Sequence, residues 1–125
     1  MTSSRHATHL DERLPLALGR PTCSWRRIAT ERLEKTGRAY RVLYSSSNAG
    51  AVAAAVLAGL AVSVLAESGL RPGMRVLTAA EGFPELPACR VGLVRNPHES
   101  STLAAALAKH IVSSLDNLSE AQAAE

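Results

Sequence analysis

The first half of the chain alternates between short apolar runs and longer segments with helical spacing. Apolar runs at 14–18, 40–44 and 61–65 have the length of buried strands. Apolar positions three and four residues apart predict a helix over 25–36, and an Ala-rich segment predicts a second helix that Gly59 ends. Helices that alternate with strands in this way are typical of a parallel α/β sheet with right-handed crossovers.

The second half continues with shorter elements. We expect a strand over 74–77, a stiff proline connector over 83–87, a last strand over 88–94, and a helix that Ser100 or Ser101 caps and that runs through Leu115. Pro15 restricts the run at 14–18 to a sheet edge or to the start of its strand. Because residues 1–13 have no apolar period, we predict a flexible segment 1–13, one domain over 14–118 and a tail over 119–125.

Small polar residues follow two of the predicted strands, each time directly before a helix. Helix N-termini carry unpaired backbone N–H groups that attract anions, and hydroxyl and amide side chains add further partners. We therefore predict a small-molecule site at these two corners. The alternative is ordinary helix capping, which needs only one such residue per helix. The first corner comprises Pro21, Thr22, Cys23 and Ser24, and the second corner comprises Ser45, Ser46, Ser47 and Asn48.

Composition limits the class of protein. With 125 residues, of which 46% are hydrophobic, the chain has material for one modest core. A net charge of +3, scattered among 11 acidic residues, does not indicate a nucleic-acid surface. Cys23 and Cys89 form no metal or disulfide motif, and the N-terminus lacks the apolar stretch of a secretory signal. These features together predict a cytoplasmic protein.

Residues 49–66 are uncharged and reach the minimum length of a membrane span, so a small membrane-anchored protein is one alternative. Much of this stretch is Ala and Gly, and Gly59 interrupts it at the point where we expect a helix to end. A nonmembrane α/β corner therefore explains the stretch better.

We find no catalytic or metal-binding pattern. His6 and His9 have no third ligand nearby in sequence, and no nucleophile elbow, carboxylate pair or P-loop spacing occurs. The sequence thus predicts a nonenzymatic protein without metal or cofactor. Cys23 is either a reactive thiol at a helix start or, as is commoner, a buried inert one. Arg26 either adds charge near the predicted site or supports the structure on a helix face, and we favour the structural role.

Five short blocks occur in one register. In order and spacing they resemble the C-terminal part of the effector-binding domain of LysR-type transcriptional regulators. The blocks are Leu14-Pro-Leu-Ala-Leu18, Pro21-x-Cys23-x-x-Arg26, Gly37-Arg38-x-Tyr40-Arg41, Ala55-Val56-x-Ala58-Gly59-Leu60-Ala61-Val62, and Leu86-Pro87 with Gly92-Leu93-x-Arg95.

This resemblance implies an α/β, partial type-2 periplasmic-binding-protein-like fold, with the complete second lobe and the C-terminal strand and helix of the first lobe. It implies that the two corners face a cleft for a small, often anionic metabolite, and that the chain forms oligomers with LysR-type subunits. The family's winged helix-turn-helix has no counterpart here, so we expect no direct DNA contact from this chain. Without the rest of the first lobe, the last strand and helix would expose apolar surface. An inactive fragment of a truncated regulator gene is therefore another alternative.

Overall fold

The computed structural model describes residues 1–88, 92–98 and 101–122, and the chain forms two units, Met1–Ala88 (unit 1) and Cys89–Glu125 (unit 2). Three short 3₁₀-helices also lie in unit 1. In chain order, unit 1 contains β1 (Thr2–Ser3), β2 (Leu14–Leu18), α1 (Ser24–Lys35), β3 (Tyr40–Ser45), α2 (Ala49–Leu57) and β4 (Met74–Arg75), and unit 2 contains α3 (Thr102–Gln122).

Strand β2 is the buried centre of unit 1. All five of its residues are buried, and it pairs in parallel with β3, as the alternation of strands and helices predicts. Pro15 lies at the second position of β2, in a two-stranded sheet that has one further bridge, between Leu16 and Val62, on the other side of β2. On the side away from β3, pairing begins at the Pro15 carbonyl, which accepts the Val62 amide at 2.8 Å. The missing N–H of Pro15 therefore removes no bond from this pairing.

The predicted third strand at 61–65 lies beside β2 but is reduced to one parallel bridge between Leu16 and Val62. Residues 61–63 are buried, as predicted. The pairing goes no further because the Ser63 hydroxyl donates to the Ala17 carbonyl at 2.6 Å, where the Val64 amide would otherwise continue the ladder. The Ser63 amide faces the other side and donates to the Met1 carbonyl. A polar side chain inside an apolar run thus ends the strand.

Both predicted helices of unit 1 form, and glycines end them. Helix α1 turns Ala29 and Leu33 into the core. Gly37 and Gly59 follow α1 and α2 with φ angles of 68° and 71°, in the left-handed region that favours glycine. At Gly59 a second reason applies, because a Cβ atom would lie 2.3 Å from the His6 Cγ atom. Helix ends are therefore well predicted by sequence here.

The N-terminal segment differs from the prediction that it lacks fixed structure. Thr2 and Ser3 are buried and pair antiparallel with Arg75 and Met74 as β1 and β4. Farther along, the Thr8 hydroxyl donates to the Gly59 carbonyl at 2.7 Å. These contacts are backbone pairing and single polar bonds, which leave no apolar period in the sequence. The domain boundaries at 14 and 118 stay predictions.

Unit 2 contains the predicted C-terminal helix, which begins after Ser101 and continues to Gln122, past the predicted tail start at 119. The Ser101 hydroxyl accepts the Ala104 amide at 3.4 Å, while Ser100 lies outside the described residues. Of the predicted strand at 88–94, residues 89–91 lie outside the described part, and the other four positions are not in a strand. Cys89 lies in the same gap. Val94 is 93% exposed and Leu103 is 78% exposed, so the predicted apolar exposure is present.

The core of unit 1 is built on β2 and its neighbours. Leu14, Leu16 and Leu18 pack with Leu33 and Val62. A second cluster joins α2 to the other side of the sheet through small residues. Across the described ranges, no helix has both the length and the apolarity needed to cross a membrane. The stretch 49–66, for which a membrane anchor was the alternative, contains the nine-residue helix α2 and the turn at Gly59.

Candidate functional site

The structure brings the two predicted corners to one edge of the β2–β3 sheet. Leu18, the last residue of β2, pairs with Ser45, the last residue of β3. The Ser46 amide continues this pairing by donating to the Leu18 carbonyl at 3.0 Å. Helices α1 and α2 begin a few residues beyond these strand ends, so both helix N-termini lie at the carboxyl edge of a parallel pair. In open α/β sheets this edge is the usual place for ligands.

The second corner is organised around a helix cap. The Asn48 side-chain oxygen accepts the amides of Gly50 at 2.8 Å and Ala51 at 3.3 Å, and the Ser46 hydroxyl accepts the Asn48 amide at 3.1 Å. Asn48 therefore satisfies two of the N–H groups that would otherwise be open to an anion. Ser47 is exposed. At this corner the capping alternative accounts for Asn48 and Ser46.

The first corner has a different arrangement. Cys23 occupies the N-cap position of α1, yet its side chain makes no capping hydrogen bond. Pro21, Thr22 and Ser24 are exposed, while Cys23 is half-buried with its Cβ and Sγ atoms against Gly19. A Cβ atom on Gly19 would lie 3.0 Å from both Cys23 atoms, so a glycine at this position lets the corner close. The thiol of Cys23 is therefore neither fully buried nor used as a cap.

Arg26 joins the two corners. Its Nη1 atom donates to the Gly19 carbonyl at 3.0 Å, before the first corner, and to the Ser45 hydroxyl oxygen at 3.2 Å, in the second corner. The Ser45 hydroxyl in turn lies 3.3 Å from the Gly19 carbonyl, to which it donates. The side chain is half-buried. Sequence reasoning classed Arg26 as structural support, and the bond to Ser45 is a contact that helix periodicity alone does not predict.

A second polar cluster lies apart from the corners and was not predicted. Arg75 donates to a Glu81 carboxylate oxygen at 2.8 Å and contacts the His9 Nε2 atom at 3.0 Å. The hydrogen bond from Arg75, followed by the bond from the Thr78 amide, lowers the pKa of Glu81 to about 2. The cluster fastens the segment before β2 to the residues after β4. Thr78 and Glu81 have the spacing of a capping box, but His9 is 66 residues from Arg75 in sequence, so no local motif could have revealed its place in the cluster.

In the part of the chain that the structure covers, no group of three or more His, Cys, Asp or Glu residues is placed to hold a metal ion. Unit 2 has an open groove that belongs to neither corner and whose lining is largely exposed. It is lined by Leu93, Arg95, Ala105, Ala108, Lys109, Val112 and Ser113.

Comparisons with known proteins point in one direction. The family model described as LysR substrate binding domain matches residues 6–116. The HTH-type transcriptional regulator PecT of Dickeya dadantii is 37% identical over 83 residues, which are 66% of this chain and 26% of the relative. The HTH-type transcriptional regulator DgdR of Burkholderia cepacia is 34% identical over 103 residues, which are 82% of this chain and 35% of the relative. The matched region thus spans about a quarter to a third of each curated relative.

Proposed function

The chain belongs to the LysR substrate binding domain family, and on that basis we propose that it senses a small organic anion at the two corners of unit 1. The observation that carries this proposal is the pairing of Leu18 with Ser45, which places both helix N-termini at one sheet edge. The α/β structure of unit 1 agrees with the periplasmic-binding-protein-like fold that the family implies. Its relatives are named as transcriptional regulators, and the proposed role is sensing rather than catalysis.

The two corners would contribute differently to such a site. The first turn of α1 has no side-chain cap from Cys23, so this corner offers the better place for the negative end of a ligand. Thr22 and Ser24 add exposed hydroxyls there, and Pro21 stiffens the approach. The second corner faces it with the exposed Ser47, while Asn48, Ser46 and Ser45 hold the loop through their own hydrogen bonds.

The strength of this binding can be bounded. A hydrogen bond contributes about 1 kcal/mol, and a helix N-terminus adds about 0.3–1 kcal/mol for an anion. Three or four such contacts correspond to a dissociation constant in the millimolar range, roughly −4 kcal/mol. We propose that unit 1 supplies the second lobe of the family's fold and that the C-terminal part returns to the first lobe. Tighter binding would then need the remainder of the first lobe.

Other parts of the proposal concern partners. Through association with LysR-type subunits the chain would report ligand binding to a DNA-binding partner, and it would make no direct DNA contact itself. A cytoplasmic location follows from this role. The ligand is a small organic anion in this proposal, and no bound metal or cofactor takes part.

Calorimetric titration of the whole chain with benzoate, succinate and citrate tests the site. We expect saturable millimolar binding of at least one anion, weakened about threefold to tenfold by Thr22→Ala or Ser47→Ala, since each change removes one exposed hydroxyl. Thr36→Ala, at the opposite end of α1, and Ser68→Ala, on an exposed 3₁₀-helix, are the matched controls. Equal affinities in all four variants would show that the two corners do not bind the anion.

The exposure of Val94 and Leu103 favours one second candidate, an inactive fragment of a longer regulator. This candidate and the sensor differ in what the isolated chain can do. A fragment that cannot fold alone should show a broad, noncooperative thermal transition by circular dichroism and should give no saturable heat with any of the three anions. A sharp transition at a temperature that anions raise would reject it.

A further inference from the structure

We infer that Arg26 is the positioning residue that couples the two corners, so that the first corner keeps its arrangement only while the second corner is held to it. This inference rests on the proposed function for its ligand-binding consequence, but its structural part does not. The juxtaposition that carries it is one guanidinium nitrogen of α1 that lies within hydrogen-bond distance of both Gly19 and Ser45.

The location of Arg26 in α1 is the first argument. Helix α1 begins at Ser24, so Arg26 lies in the first turn, where the positive end of the helix dipole disfavours a cation. Arg32 and Lys35 lie in the last turn, where a cation is favoured, and Arg27, which follows Arg26, pairs with Glu31 of the same helix. A cation in the first turn needs compensation from outside the helix. The Gly19 carbonyl and the Ser45 hydroxyl supply that compensation.

The geometry of the contact is the second argument. The Nη1 atom carries two N–H groups, and its two acceptors belong to the two different loops. The Ser45 hydroxyl donates to the same Gly19 carbonyl, which closes a triangle of three polar groups. A single rigid, charged group therefore sets the separation of the residues that precede α1 and α2. Lysine has no planar fork, so it would keep the charge but not the fixed angle between the two bonds.

The third argument is what this arrangement leaves available. Ser45 is occupied by Arg26 and Gly19, so its hydroxyl holds the loop rather than the ligand. Thr22 in the first corner and Ser47 in the second corner are both exposed. The affinity of a ligand that contacts both hydroxyls would depend on the distance between them. Arg26 would thus affect affinity without being a ligand contact itself.

The test uses the full chain labelled with ¹⁵N and variants at two adjacent positions. Arg26→Met removes both bonds, Arg26→Lys retains the charge, and Arg27→Met is the control, because Arg27 is exposed and pairs with Glu31 of the same helix at 3.1 Å. Without ligand, we expect Arg26→Met to shift the amide signals of Ser46 and Ser47, and Arg27→Met to leave them in place. Unmoved signals in Arg26→Met would overturn the inference whether or not the chain binds anions.

The second arm titrates each protein with succinate and follows the amides of both corners. In the unchanged chain and in Arg27→Met we expect both corners to shift with one shared dissociation constant. Arg26→Met should bind roughly tenfold more weakly, because the two bonds that hold the corners at one separation are lost, with partial recovery in Arg26→Lys. Equal affinity in Arg26→Met and Arg27→Met would overturn the coupling. Absence of saturable shifts in the unchanged chain would count against the proposed function, and the ligand-free arm would then decide the role of Arg26.

Discussion

Replacement of Asn48 separates a capping role from a ligand-binding role at the second corner. Its side-chain oxygen accepts the Gly50 amide at 2.8 Å and the Ala51 amide at 3.3 Å. Asn48→Ala removes both bonds, and water can replace them only in part. We expect a loss of about 1 kcal/mol in the free energy of unfolding, within the usual range of about 0.5–2 kcal/mol for such caps. For a unit of this size that loss lowers the melting temperature by about 4–8 °C.

Asn48→Asp distinguishes the capping role of this residue from a role in ligand binding. The carboxylate can accept the same two amides, and its charge next to the helix N-terminus adds about 0.3–1 kcal/mol. Stability should therefore equal or exceed that of the unchanged chain, whereas anion binding at this edge should weaken through repulsion. Urea unfolding followed at 222 nm measures the first effect, and calorimetric titration with succinate measures the second. Asn96→Ala, which removes one exposed bond in unit 2, is the control.

Two results would refute this reasoning. If Asn48→Ala and Asn48→Asp have the same unfolding free energy as the unchanged chain, the two bonds do not cap α2 in solution. If Asn48→Asp is stable but binds succinate as tightly as the unchanged chain does, the second corner does not face the ligand.

Three further predictions concern the framework around the site. Gly59→Ala should destabilise unit 1 by about 1–3 kcal/mol, because the φ of Gly59 is 71° and the new Cβ would meet the His6 ring. In a thermal melt, the double variant Gly59→Ala/His6→Ala should regain the part of this loss that comes from the clash with the ring, but not the part that comes from the positive φ. The hydrogen bond from Arg75 lowers the pKa of Glu81 to about 2, so the contribution of Glu81 to stability is complete above its unfolded pKa of 4.5 and is lost as the pH falls towards 2. Urea unfolding at several pH values in this range should show that the free energy of unfolding depends less steeply on pH in Glu81→Gln than in the unchanged chain. Leu18→Ala, at a position that is 1% exposed, should cost about 2–5 kcal/mol, and a loss below about 1 kcal/mol in urea unfolding would contradict its place in the core.

Much of unit 1 follows from local sequence. The apolar run at 14–18, the helix after the first corner and the glycines at 37 and 59 agree with β2, α1 and the helix ends. The two corners also follow, because small polar residues between an apolar strand and an amphipathic helix mark a strand-to-helix turn wherever they occur. Their assignment as ligand contacts stays a prediction. Asn48 illustrates the difference, since its cap satisfies the helix itself.

The failures share a cause. Burial of Thr2 and Ser3 arises from pairing with β4, more than seventy residues away. The strand at 61–65 is cut to one bridge because the Ser63 hydroxyl occupies the Ala17 carbonyl. Each of these outcomes depends on a backbone group or a hydroxyl whose partner is distant in sequence. Hydrophobic periodicity shows which face of a helix or strand is buried, but it does not show which distant group will bond to a given backbone amide or hydroxyl.

For this protein, local pattern sufficed to establish the order of the main strands and helices of unit 1, the parallel pairing of β2 and β3, and the resemblance to the LysR family. These depend on interactions over a few residues or on the recurrence of short blocks. Folding added the Arg26 bridge, the contact of His9 with Arg75 and the fixed N-terminal strand. Hydrogen bonds and ion pairs act only over a few ångströms, so these groups interact only once the packed core has brought distant segments together.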